Sequence, residues 1–173
     1  TPIAMTILPR LTKAVKNSEN LDRLFNNYSL FVCLTACSVA VVTIVFPTEI
    51  LTLWTRDQSL SLGQETLVRI LALANLALAL QLIPFQIAIA HGFTRINVIL
   101  SIICVLAVPP GIIFFASHFG ISGVGAPWLL INIFAAVVLN LVISSKYLES
   151  PLKKLIKFVV VPLTICGFIA WKV

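Results

Sequence analysis

The chain has 173 residues, of which 60% are hydrophobic and 10% charged. Soluble domains carry roughly 25% charged residues, so this composition excludes an ordinary soluble globular domain and points to a protein whose solvent is lipid. The net charge of +6 is not a nucleic-acid signal: the basic residues lie between apolar runs, without interleaved aromatics or a recognition module, where they orient membrane helices.

The stretch from Ile96 to Ser145 holds no Asp, Glu, Lys or Arg. A helix rises ~1.5 Å per residue and the hydrocarbon core is ~30 Å thick, so about 20 apolar residues cross it. The run is long enough for two crossings, interrupted by Ser117-His118-Phe119-Gly120-Ile121-Ser122-Gly123. It predicts a helical hairpin whose tip emerges at His118. Barrel strands would alternate polar and apolar residues, whereas Ile99 to Val108 is apolar on every face. The expected fold is all-α, a polytopic transmembrane helix bundle.

In chain order, Thr1 to Leu8 is apolar, too short to span, and without the basic region or cleavage site of a signal peptide. It reads as the end of a helix whose beginning is missing. The segment 10–27 is polar and partly amphipathic, expected at the membrane surface, with Asn20 as an N-cap and Asp22 in a first helical turn. The first span is predicted over 28–54, with Pro47 and Glu49 at its far end and Trp54 as an interfacial anchor. After a short loop at 55–62, the second span covers 63–90 and carries Glu65, Arg69, Asn75, Gln81, Pro84 and Gln86. A tight turn at 91–95 leads to the third span, 96–116, in which Pro109-Pro110 predicts a kink or break. The fourth span is predicted over 123–145, and a basic link at 146–157 leads to a last apolar stretch, 158–171, which with Leu155 and Ile156 just suffices to cross.

Lys and Arg alternate between strong and weak loops. Segments 10–27, 91–95 and 146–157 carry most of them and are expected in the cytoplasm; 55–62 and 117–122 fall on the opposite side.

The six acids form no carboxylate pair beside a base, and His91 and His118 fall on opposite sides of the membrane. With no nucleophile–base constellation and no phosphate loop, the expectation is no enzyme and no cofactor. Cys33 and Cys37 lie one turn apart in an apolar run, Cys104 and Cys166 singly in others. They read as small buried hydrophobes, with no metal. Function is expected in the second span. Arg69, Asn75, Gln81 and Gln86 are the substrate-path candidates, with Arg69 meeting an anionic group such as a diphosphate, anchoring at the interface, or pairing with Glu65 one turn earlier. Pro84, Pro109 and Pro110 are hinge candidates. Asn132 and Asn140 read as helix–helix glue.

Four strings carry a resemblance. Gly120-Ile121-Ser122-Gly123-Val124-Gly125-Ala126 is similar to a G-x-x-G-x-[GA]-A helix entry. Ala90-His91-Gly92-Phe93-Thr94-Arg95 is similar to an A-x-G-x-x-[RK] turn, and Ile50-Leu51-Thr52-Leu53-Trp54-Thr55-Arg56-Asp57 to an I-L-x-L-W-x-G-[DN] exit, with Arg56 in place of Gly. Leu8-Pro9-Arg10-Leu11-Thr12, followed by Asn17, is similar to a P-x-L-[ST] cytoplasmic link. Together, over 1–148, they resemble the polysaccharide and O-antigen flippases of the multidrug/oligosaccharidyl-lipid/polysaccharide exporter superfamily. The resemblance implies that 1–148 is part of the second lobe of a two-lobe exporter and 149–173 a further helix, with the N-terminal lobe absent from this fragment. It also implies export of an undecaprenyl-diphosphate-linked oligosaccharide across the bacterial inner membrane, through a central basic cavity that rocks between two open states. It gives no catalytic triad to carry over. The alternatives are a drug/cation antiporter of the same superfamily, which would favour an acid deep in a helix, and a membrane-embedded polysaccharide polymerase or glycosyltransferase, which would favour large extracytoplasmic loops.

Overall fold

The computed structural model describes residues 2–16, 21–57, 63–147, 153 and 156–172, with side chains from Leu8 onward except at Lys16. The expected Asn20 cap, Asn17, most of the loop at 55–62 and most of the basic link lie outside the described residues. Every regular element described is helical. Four helices are long and apolar enough to cross a membrane: Leu21–Val45, Glu65–Ala90, Arg95–Gly123 and Ala126–Tyr147. The chain is an all-α membrane bundle.

Helix α1 is Pro2–Lys16. It runs through Pro9, so residues 10–16 continue a helix rather than forming a link. Leu11 and Ala14 are fully buried, because α1 lies against the later helix Leu82–Ala90.

Helix α2, Leu21–Val45, and helix α3, Pro47–Thr55, replace the single span expected over 28–54. The start comes earlier because Phe25 is fully buried, meeting Phe158 edge-on at 5.8 Å. The break at Phe46 follows from Pro47, which has no N–H for the Thr43 carbonyl but fits the first position of a new helix.

The second span is also divided, into α4, Glu65–Leu80, and α5, Leu82–Ala90. Pro84 cannot donate to the Leu80 carbonyl, so the irregular residue is Gln81, three positions before the proline. Helix α4 is central: it packs against α2 on one side and the fourth span on the other. Ala72, Ala74 and Ala77 are buried along it, small side chains that let neighbouring helices approach.

Helix α5 ends in a full Schellman turn. Phe93 N–H bonds the Ala88 carbonyl at 2.8 Å and Gly92 N–H bonds the Ile89 carbonyl at 2.9 Å. Gly92 has φ +70, the left-handed conformation this cap requires. The tight turn expected at 91–95 therefore forms, and α6, Arg95–Phe119, begins at its last residue.

Of the kink or break expected at Pro109-Pro110, the break does not occur: α6 runs through both. The prolines remove two consecutive donors but share a helical φ, and helix breakers are tolerated in membrane spans when neighbours support them. Support comes at Gly111, where a Cβ would stand 3.0 Å from that of Pro127. The helix also outlasts His118, and the chain reverses in a 3-10 turn, Gly120–Gly123. Helix α7, Ala126–Tyr147, returns against α4 and α6.

The last apolar stretch is a π-helical turn, Ile156–Val160, followed by α8, Val161–Lys172. At 12 residues α8 is not among the helices long enough to cross. It lies along α2, with Cys166 buried beside Ala40, Ile44 and Leu76. Cys33 and Cys37 line the same cluster, their Sγ atoms 4.0 Å apart.

The basic segments meet at one end of the bundle. Leu11, Phe25, Ile87, Ile143 and Phe158 form one cluster there, with Phe93 and Tyr147 against it. The His91 ring stacks on Tyr147 at 3.8 Å, and Lys146 Nζ lies 3.8 Å from the Phe93 ring centre. Trp54 and Trp171, both 86% exposed, sit near the ends of helices leading away from that cluster.

Candidate functional site

The central position of α4 leaves a hollow between two walls. On one side stand α2 and α3, on the other α6 and α7, with α4 and the start of α5 as the floor. The cavity measures about 1000 Å³. Its walls are largely apolar, and none of the described lining side chains is charged. Its polar groups are hydroxyls and carboxamides: Thr35 and Thr43 of α2, Asn75 of α4, Gln81 at the α4–α5 break, Asn97 and Ser101 of α6, and Asn132 of α7.

These groups reach the cavity for local reasons. Gln81 stands where Pro84 interrupts the ladder, and its Nε2 donates to Asn132 Oδ1 at 3.1 Å, both side chains buried. Asn132 Nδ2 in turn donates to the Trp128 carbonyl at 2.7 Å. This relay ties the floor to the α7 wall, as expected of interhelical amides. Asn140, expected to do the same, donates instead to Ala136 of its own helix at 2.9 Å. Asn75 is exposed and donates to the Leu71 carbonyl at 2.9 Å, leaving its Oδ1 free for other partners.

Two of the four substrate-path candidates therefore line the cavity, Asn75 and Gln81, and two do not. Gln86 is buried, with an Oε1 that has no hydrogen-bond partner. Arg69 Nε donates to the Ile44 carbonyl at 3.3 Å, across the α2–α3 break. Glu65, one turn earlier, accepts from Thr48 Oγ1 at 3.1 Å on the other side of the same break. The pair holds a joint in the scaffold. Among the hinge candidates, Pro84 is buried behind the break it causes, and Pro109 and Pro110 lie on the exposed face of an unbroken helix.

Sequence reasoning passed over Asn97. It is 8% exposed, lines the cavity, and neither carboxamide atom has a partner. The available signal was its spacing from Ser101, one helical turn on, which makes a polar stripe inside an apolar run.

The chain matches no protein-family model, no curated protein and no solved structure.

Proposed function

We propose that this chain is part of a transporter that moves a lipid-linked oligosaccharide across a membrane, as the resemblance to the polysaccharide flippases implies. The observation that carries the reading is the cavity of about 1000 Å³, apolar in its walls and, among the described residues, supplied only with neutral hydrogen-bonding groups. Sugar hydroxyls donate and accept, and carboxamides do both. A sugar therefore finds partners in Asn75, Gln81 and Asn132, while an anionic diphosphate finds no cation among the described lining residues. The charge that neutralises the diphosphate belongs, in this reading, to the other lobe of the same exporter, which closes the open side of the cavity.

Two further features support the reading. Arg56, which stands where the resembled exit motif has Gly, adopts φ +56, the conformation a glycine would take without strain. The Gly-rich helix entry is used for close contact, because a Cβ on Gly125 would stand 2.9 Å from Ile70 Cγ2. In this reading the membrane is the bacterial inner membrane, the basic end of the bundle is cytoplasmic, and the chain performs transport rather than catalysis. The antiporter alternative lacks an acid in the described cavity lining.

The test is export of surface polysaccharide in cells whose only exporter is the full-length protein. Gln81→Leu and Asn132→Leu are expected to lower export while membrane insertion stays normal. Normal export by both variants would sink the reading.

A further inference from the structure

Asn97 stands between two hollows. On its inner side is the central cavity. On its outer side a second groove of about 490 Å³ runs between α5 and α6, and Phe85, Asn97 and Ser101 line both. From Ser101 onward the groove is apolar along α6, with Ile102, Val105 and Leu106; Ile89 and Thr94 also line it. A buried carboxamide with neither atom bonded is costly, and nearly all such groups in folded proteins find a partner. Here the unpartnered group lies where a neutral polar space meets an apolar exit on the flank of the bundle.

We propose that Asn97 is a ligand-contacting residue, and that the crevice between α5 and α6 holds the hydrocarbon chain of an amphiphile whose hydroxyl-bearing headgroup sits in the central cavity. The Asn97 carboxamide meets the ligand at the junction of head and chain, donating through Nδ2 to an ester or ether oxygen there and accepting at Oδ1 from a neighbouring hydroxyl. Ser101, one turn on, donates its hydroxyl proton to the Asn97 main-chain carbonyl at 2.8 Å and keeps an oxygen able to accept from the ligand. The chain leaves past Ile102 and Leu106 toward lipid, so the ligand keeps its tail in the bilayer while its head is enclosed. This rests on the proposed function for the nature of the headgroup; the position of the tail comes from the groove itself.

The experiment uses the full-length protein in phosphatidylcholine nanodiscs and an alkyl glucoside with a diazirine at the chain end, cross-links being mapped by peptide mass spectrometry. Labelling is expected to concentrate on the groove at Ile102 and Leu106. Asn97→Leu should lower it by about fivefold, the size of one lost neutral hydrogen bond, without lowering the melting temperature. A residue that merely supported the fold would lower both. Leu106→Trp, at a position 69% exposed and so able to accept a larger side chain, should block the groove and lower labelling equally. Undiminished labelling in either variant, or wild-type labelling centred on Ile113 outside the groove, overturns the proposal. Export measured on Asn97→Leu separates the two readings. If the probe site is lost and export persists, the groove stands and the proposed function falls.

Discussion

Arg69 donates to the main-chain carbonyl of Ile44 at 3.3 Å, and Ile44 is fully buried. The carbonyl belongs to the last turn of α2, where the restart of the helix at Pro47 leaves oxygens without their usual donors. A buried carbonyl with no partner is costly in lipid, and a guanidinium from the next helix relieves it. The charge that the sequence marks as a candidate for substrate is thus engaged in satisfying the backbone.

Arg69→Leu is therefore expected to lower stability by ~1.5–3 kcal/mol, the range for a hydrogen bond to a charged group. Arg69→Gln should recover part of that, since its amide still donates. Thermal unfolding in detergent compares the two variants with wild type. A leucine variant that melts with wild type would show the contact to be dispensable.

Much of the bundle is legible because membrane spans are written in bulk composition: the four long helices fall where the apolar runs do. The breaks are less legible. Proline marks a missing hydrogen bond, but neighbours decide whether the helix yields. At Pro47 the helix restarts, at Pro84 it yields three residues upstream, and at Pro109-Pro110 it continues beside Pro127. The site was half legible for a similar reason. Gln81 and Asn75 announce themselves in a span rich in polar groups, whereas Asn97 sits at the head of an uncharged run and gains its meaning only when α6 closes over α5. Arg69 is legible as a charge in a span, but the carbonyl to which its Nε donates is 25 residues away in sequence.

Arg56 offers a gain-of-stability test. It caps α3 at φ +56 and ψ +22, with its N–H on the Thr52 carbonyl at 2.8 Å. A side chain in this left-handed conformation costs roughly 1–2 kcal/mol that glycine avoids. Arg56→Gly should raise the melting temperature, allowing for the larger entropy of the unfolded glycine chain. Because Arg56 is exposed, little packing is lost. A lower melting temperature would mean that the arginine side chain makes contacts worth more than the strain.

The proposed orientation has its own test. In a full-length protein cleared of native cysteines, a cysteine at His118 should react with an impermeant thiol reagent added to intact cells, and one at Lys153 should not. The motive is the gathering of Lys146, Lys157 and the 91–95 turn at one end of the bundle, while His118 lies in the exposed last turn of α6. Labelling at 153 from outside would invert the topology.

The amide relay can be measured directly. Gln81 and Asn132 face each other from α5's start and α7, and interhelical hydrogen bonds in membranes average about 0.6 kcal/mol in double-mutant cycles. Gln81→Leu and Asn132→Leu, alone and together, should give a coupling of that order in unfolding experiments. A coupling indistinguishable from zero would reduce the 3.1 Å contact to an incidental one, and would weaken the case that the cavity floor is a built polar surface.

The close contact at Gly125 gives the most direct test of the packing. The chain reverses at Gly120–Gly123 and enters α7 at Ala126. Between these, Gly125 is buried, and a Cβ there would lie 2.9 Å from Ile70 Cγ2 and 3.2 Å from Leu67 Cδ1, both on α4. The first distance requires a β-branched side chain on the central helix to shift, and a leucine would need far more room than a Cβ. Overfilled interiors lose about 1–3 kcal/mol, and Gly125→Leu should fall in that range by thermal unfolding in detergent. Ser122→Ala, at a half-buried position in the same turn, adds no atoms and should melt with wild type. Helices α4 and α7 both line the cavity, so under the proposed function Gly125→Leu should lower export beyond what its reduced abundance explains. Wild-type melting of the leucine variant would show that α7 enters the bundle without touching α4 there, and the cavity floor would have to be drawn differently.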